Sequence, residues 1–300
     1  MGIRRQVYSY ADNFPPVWAT QLGVRSPRGV DLDPALFSAY AGADGMTQEI
    51  CPPGAFAAAV PGSTKFRVLP RTRLTAASAT NSPTLNVSKH TAQFFIAGDT
   101  LTVAGQSTTI TLANAWVAGE TLTITVEGRS WVYTVPNPAP ASLTLLAADI
   151  AAKLRQSSLN DLVEVVPGVG ILLLISLRDV AAAFTVAETS SSGTALPSSG
   201  NFAAGASLGT VQSVTYNPNT DTHQITLSGN AATALPIGTP VGDMRYSPAG
   251  LGLMSPGVAI DLLREPNTYQ ACFTAMSVYR DRLPYWDGQL SRLFPEITLV

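Results

Sequence analysis

The sequence predicts a mainly β protein: a small β-barrel or sandwich, an inserted α+β (ββαβββ) module and extended Pro/Gly-rich terminal arms. Three observations carry this prediction. Thr-rich segments alternate with Leu, Ile and Val at period two through much of the chain. A single segment near 142–157 repeats apolar residues at helical spacing. Pro and Gly punctuate the N-terminal 62 residues so closely that neither period survives there.

In chain order, residues 1–62 read as irregular, with Pro at 15, 16, 27, 34, 52, 53 and 61. They nevertheless carry Tyr8, Tyr10, Phe14, Val17, Trp18, Leu22, Leu36, Phe37 and Tyr40. Apolar side chains on an irregular backbone need burial from elsewhere, so the expectation is an arm that packs on neighbouring subunits. Strands are expected at Thr64–Leu69, at Leu85–Lys89 and across Phe94–Val103, where Gly98-Asp99 supplies turn chemistry. The clearest hairpin is Thr121–Val126 returning as Ser130–Val135 through Glu127-Gly128-Arg129. Its Thr residues alternate with Leu122, Ile124 and Val126, the pattern of a strand with one wet face.

Pro136-Asn-Pro-Ala-Pro140 breaks the sheet, and Ser142 or Thr144 caps a helix running to about Ser157. Leu146, Ile150 and Leu154 form its apolar stripe, and Asp149 and Lys153 pair at i, i+4 outside. Strands follow at Leu162–Val166, Ile171–Leu177 and Phe184–Val186, then a Ser/Gly/Ala linker at 189–208. A second hairpin spans Gly209–Tyr216 and His223–Leu227, and Leu235–Gly242 closes the unit. The last block holds a strand at Ala271–Tyr279 and an irregular tail with Leu283, Tyr285, Trp286, Leu290, Leu293, Phe294 and Ile297. The resulting division is an arm and docking segment over 1–86, a barrel from 87–105 and 206–245, a projecting module over 106–205 and a C-terminal segment over 246–300.

Composition excludes several classes of function. A net charge of −2 gives no basic excess for nucleic acid. With 46% hydrophobic residues the chain buries a core rather than staying disordered. Two Cys make no disulfide scaffold, and Cys51 and Cys272 read as buried free thiols. Two His with two Cys suit no multi-metal centre. The start, MGIRRQVYSYADNF, lacks the apolar core of a secretory signal, and no apolar run approaches the roughly 18 residues of a membrane span. No membrane partner is expected. Arg outnumbers Lys fifteen to three, and eight of the eighteen cations precede residue 74. Because Arg favours bidentate carboxylate pairing, that end is a candidate docking surface. The contact residues expected are Tyr8, Tyr10, Phe14, Trp18, Arg67, Arg71, Arg73 and Trp286.

Two family resemblances follow from these residues. The run Gly119-Glu120, Leu122–Val126, Gly128, Trp131–Val135, Ala147–Leu154, Val163–Leu177 and Phe184–Val186 resembles a small repeat module of phage structural and bacterial surface proteins. The Pro/Gly-rich arm, Phe94–Val103 and the segment from Gly209-Thr-Val-Gln-Ser-Val to Leu235–Val241 resemble capsid decoration (cement) proteins of tailed bacteriophages. The second resemblance implies a virion protein on the capsid exterior, assembled in the host cytoplasm, with the major capsid protein and copies of itself, as a homotrimer, for partners. The alternative is a tail, fibre or baseplate component that contacts the host surface.

Catalytic readings are set aside. His90 and His223 have no Gly-x-Ser-x-Gly elbow or other nucleophile pattern beside them. Asp31 and Asp33 fit capping of a turn at 34–40 better than paired glycosidase carboxylates. Asn217-x-Asn219-x-Asp221 lacks the Gly and Glu of a calcium loop and reads as an Asx-rich turn. No enzyme activity, cofactor or metal is expected.

Overall fold

The computed structural model describes residues 18–25, 29–41, 47–48, 50–113, 115–177, 185–191, 195–197, 200–201, 205–217, 222–231, 234–254, 260–262 and 269–300. The fold is mainly β, built from several antiparallel sheets, with no closed barrel among the described residues. In place of a barrel, six strands form one curled sheet in the order Arg71–Arg73, Pro240–Gly242, Thr100–Val103, Ser207–Asn217, Thr222–Ala231, Ser82–Val87. Its two outer strands touch at one bridge, Leu74 to Val87, where the Thr75 N–H donates to the Asn86 carbonyl at 2.9 Å. Leu85, Val87, Leu101, Val103, Val211, Ile225, Leu227 and Val241 fill the concave side.

Residues 106–205 interrupt this sheet. The chain leaves it at Val103 and returns at Ala206, and the Val103 N–H donates to the Ala206 carbonyl at 3.0 Å. The flanking strands Thr100–Val103 and Ser207–Asn217 are antiparallel neighbours. Gly205 is required at this neck, because a Cβ there would lie 2.2 Å from the Val103 carbonyl oxygen and 2.6 Å from that of Gly105.

The module consists of two four-stranded sheets and a helix around a core of its own. One sheet runs Val163–Pro167, Ile171–Ser176, Ser107–Leu112, Ala195–Pro197, and the other Arg129–Thr134, Thr121–Val126, Thr185–Ser190, Gly200–Asn201. The Thr121–Val126 strand buries Leu122, Ile124 and Val126 and leaves each Thr half-exposed. Glu127 at φ 50° and Gly128 at φ 76° turn it into Arg129–Thr134, the left-handed pair that a two-residue hairpin loop needs. The helix spans Leu143–Leu154, is capped by the Ser142 hydroxyl, which accepts from the Leu145 N–H, and buries Leu146, Ala147, Ile150, Ala151 and Leu154. Asp149 meets Lys153 at 3.0 Å and also accepts from the Tyr133 hydroxyl at 2.6 Å.

The apolar run 171–175 is buried on both faces because it serves two cores. Leu172 and Leu174 point into the module core, while Leu173 and Ile175, with Val166 of the adjacent strand, join the core of the curled sheet. The module therefore lies against the body along one sheet face, and does not stand off on a free stalk.

A third core lies under a second six-stranded sheet, in which Trp18–Arg25, Cys272–Val278, Gly250–Met254, Phe56–Ala59 and Phe66–Val68 run in that order and Ile297–Leu299 pairs parallel to Cys272–Val278. In this sheet the described parts of both terminal segments pair within the chain. Among the described residues Phe37, Ala55–Ala58, Tyr285, Trp286, Leu290, Phe294 and Ile297 are buried within the chain itself. Phe56 stacks on Phe294 at 4.7 Å between ring centroids and packs on Trp286 at 5.7 Å. After Trp18–Arg25, prolines and glycines cut the described part of the N-terminal segment into strands of two to four residues, too short to show a period, such as Val30–Asp31, Ile50–Cys51 and Phe56–Ala59, which still pair. The 189–208 linker also contains paired strands, at Ala195–Pro197 and Gly200–Asn201, and only Thr100–Val103 of the expected 94–103 pair is a strand.

Candidate functional site

The cationic segment 65–73 reaches inward. Arg67 lies on the strand Phe66–Val68 and is fully buried. Its Nη1 and Nη2 donate to the two Asp99 carboxylate oxygens at 2.8 Å each, and Nη2 also donates to the Phe94 carbonyl at 2.8 Å. Asp99 accepts a further bond from the Ile96 N–H at 2.9 Å, and the Tyr246 ring lies 4.4 Å from the Arg67 guanidinium carbon. This is how a charge is tolerated without water: a bidentate partner, with the remaining lone pairs and donors largely filled.

Arg71, on the strand Arg71–Arg73, is equally buried and donates to Asp287 Oδ2 at 2.8 Å and to Gln289 Oε1 at 3.4 Å. The Tyr285 hydroxyl donates to the same Asp287 oxygen. Asp287 Oδ1 accepts from the Leu290 N–H at 2.8 Å, which caps the helix Gly288–Leu293. Burial works against ionisation of Asp287, but Arg71, the Tyr285 hydroxyl, the Leu290 N–H and Arg73 outweigh it and hold the carboxyl below its usual range. Burial, reinforced by the Asp287 charge, pushes the Tyr285 hydroxyl well above the usual phenol value.

Arg73 ties in the module. Its Nε donates to the Trp286 carbonyl at 3.0 Å, Nη1 to the Gly238 carbonyl at 2.8 Å and Nη2 to Glu164 Oε1 at 2.6 Å. The second Glu164 oxygen accepts from the Gly288 N–H at 3.1 Å. The Arg71 and Arg73 cluster thus joins the curled sheet, the module and the C-terminal segment. Its carboxylates are each paired with an internal guanidinium, so its chemistry is that of a clamp.

Of the expected contact residues that the structure describes, Arg67, Arg71 and Trp286 are buried. Arg67 and Arg71 cannot present guanidiniums to a partner, because internal carboxylates hold both in the dry interior. Arg73 is part-buried in the clamp, and Trp286 is only 8% exposed. Trp18 opens the strand Trp18–Arg25 and is in register with Val278. Tyr8, Tyr10 and Phe14 lie outside the described residues. Sequence reasoning missed the partners Glu164 and Asp287, and read Asp99 only as a turn residue. Asp287 does carry a local signal, an acidic residue one place before Gly-Gln-Leu-Ser-Arg-Leu, the pattern of an N-cap.

Between the module and the C-terminal segment lies a cleft of about 640 Å³. Arg155, Asp161, Glu164, Arg280, Trp286 and Arg292 are among its walls. Asp161 is held below the usual carboxylate range, chiefly by its hydrogen bond from Arg129, whose Nη1 donates at 2.9 and 3.1 Å.

The residues set aside as catalytic occupy other places. Asp33 caps the turn Pro34–Leu36 by accepting from the Ala35 N–H at 3.2 Å. His223 is buried on the strand Thr222–Ala231 beside Tyr216. Of the Asx-rich turn, 218–221 lie outside the described residues. Cys51 and Cys272 are buried free thiols; burial raises both, Cys272 to about 11. Among the described residues no group of three or more His, Cys, Asp or Glu is placed to hold a metal, and no helix is long and apolar enough to cross a membrane. No protein-family model matches the chain, and no curated protein sequence matches it.

Proposed function

We propose that this chain is a structural virion protein that binds the outer surface of a phage capsid and cements neighbouring capsomers, acting as a homotrimer with the major capsid protein as its partner. The observation that carries the reading is the insertion at Val103 and Ala206, which adds a second cored unit to a mainly β body and welds the two through Leu173, Ile175 and the Arg73–Glu164 pair. A pre-ordered body of this kind loses little entropy on docking, and closed symmetry multiplies a modest interface per subunit. The curled six-stranded sheet, bridged at Leu74 and Val87, is the element we equate with the barrel of decoration proteins. The aromatic residues Tyr8, Tyr10 and Phe14 are assigned to the capsid contact, because the buried arginines cannot serve there.

Electron microscopy of particles with and without the protein tests the assignment. Added density over the heads is the expected result. Density confined to tails would transfer the chain to the tail or fibre class, and no density on either would end the virion reading.

A further inference from the structure

We propose that the cleft between the module and the C-terminal segment is a binding site for an acidic peptide segment of a partner protein, with Arg280, Arg292 and Arg155 reading its carboxylates. Its volume of about 640 Å³ lies within the usual range for ligand sites, roughly 300–1,000 Å³. The charge balance points to the sign of the ligand. Among the described residues two carboxylates line the cleft, and each is already matched: Asp161 by Arg129 at 2.9 Å and Glu164 by Arg73 at 2.6 Å, neither cation lining the cleft itself. Three exposed arginines with no carboxylate partner among the described residues are left over, in a chain whose net charge is −2.

Their present bonds are also informative. Arg155 donates to the Val165 carbonyl at 2.9 Å, and Arg292 donates to the Asp161 carbonyl. The guanidinium of Arg280 makes no hydrogen bond or ion pair with any described residue. Five donors in a fixed fork on the wall of a cleft suit a carboxylate. Because Arg155 occupies the outward carbonyl of Val165 on the edge strand Val163–Pro167, strand addition there is obstructed. Recognition therefore runs through side chains, not through main-chain pairing.

The rest of the wall selects among anions. Leu177, Leu299 and Trp286 give it an apolar part, which an inorganic anion would leave unused. Trp286 is 8% exposed, too covered to serve as a stacking platform for a sugar ring. An acidic peptide that also carries aliphatic side chains uses both parts of the cleft.

The test uses the purified full chain, so its failure is separable from failure of the virion reading, on which this inference does not rest. A fluorescein-labelled peptide of alternating Glu and Leu is titrated by anisotropy beside its Gln/Leu counterpart and a labelled oligogalacturonate. The Glu/Leu peptide is expected to bind, with affinity falling as salt rises from about 0.05 to 0.5 M, and the Gln/Leu peptide is not. Arg280→Glu removes no side-chain bond to a described residue, so its thermal melt should match the parent while affinity drops by roughly tenfold. Equal binding of the two peptides, undiminished binding to Arg280→Glu, binding of the oligogalacturonate alone, or no binding at all would each overturn the proposal.

Discussion

Arg71 and Asp287 are 216 positions apart in sequence and 2.8 Å apart in space. Taking two charges out of water is costly, so the pair itself adds little net stability, but removing one partner strands the other in the dry interior. Asp287→Asn is therefore expected to destabilise the fold by roughly 3–5 kcal/mol, read as a lower urea midpoint at neutral pH. The pH dependence has a definite sign. The folded carboxyl of Asp287 is depressed below its unfolded value of about 3.9. Its contribution is thus complete above that value and is lost as pH falls through the folded one. Urea midpoints measured downward from about pH 5 should fall for the parent and fall less for Asp287→Asn; Asp149, Asp161 and Asp243, also depressed, account for the slope that remains.

At the scale of elements, the decisive features are one shared strand and one tight crossing. Ile171–Ser176 hydrogen-bonds to strands on both sides and divides its side chains between two cores. The crossing at 103–106 and 205–207 has no room for a side chain at Gly205, since the atoms in the way are backbone and cannot rotate aside. Gly205→Ala is expected to cost about 1–3 kcal/mol, as over-packing does. Hydrogen exchange of the Val103 amide, which donates to Ala206, should accelerate while the Thr121–Val126 amides keep their protection. Unchanged exchange at Val103 would show that the neck carries no load.

For the whole molecule, the module has its own core but not a fully polar exterior. Cutting it free as residues 106–205 exposes Val166, Leu173 and Ile175, which are 5%, 5% and 1% exposed in the full chain. The fragment is expected to retain its helix and strands by circular dichroism and to self-associate through that face. Leu173→Thr with Ile175→Thr should return it to a monomer in light scattering, because two large apolar side chains leave the contact. Loss of the circular dichroism signal in the unmutated fragment would mean that the body, and not the internal core, holds the module together.

The sequence by itself determined the local elements. Strict alternation at 121–126, the glycine turn at 128 and the Leu146–Ile150–Leu154 stripe behind Ser142 are written in neighbouring residues, and the structure carries all three. The strongly periodic segments were legible because each has one wet face and one dry face. What only the tertiary structure decided is where apolar ends and arginines are buried. Residues 29–62 and 280–300 show no sustained period, because prolines and glycines interrupt them every few residues. Each piece buries its side chains against partners far away in the chain, so nothing in its neighbours reveals the match. Arg67 and Arg71 look like surface cations until Asp99 and Asp287 arrive from 32 and 216 positions away. Pairing at such separations is set by the path of the backbone, which no local spacing encodes.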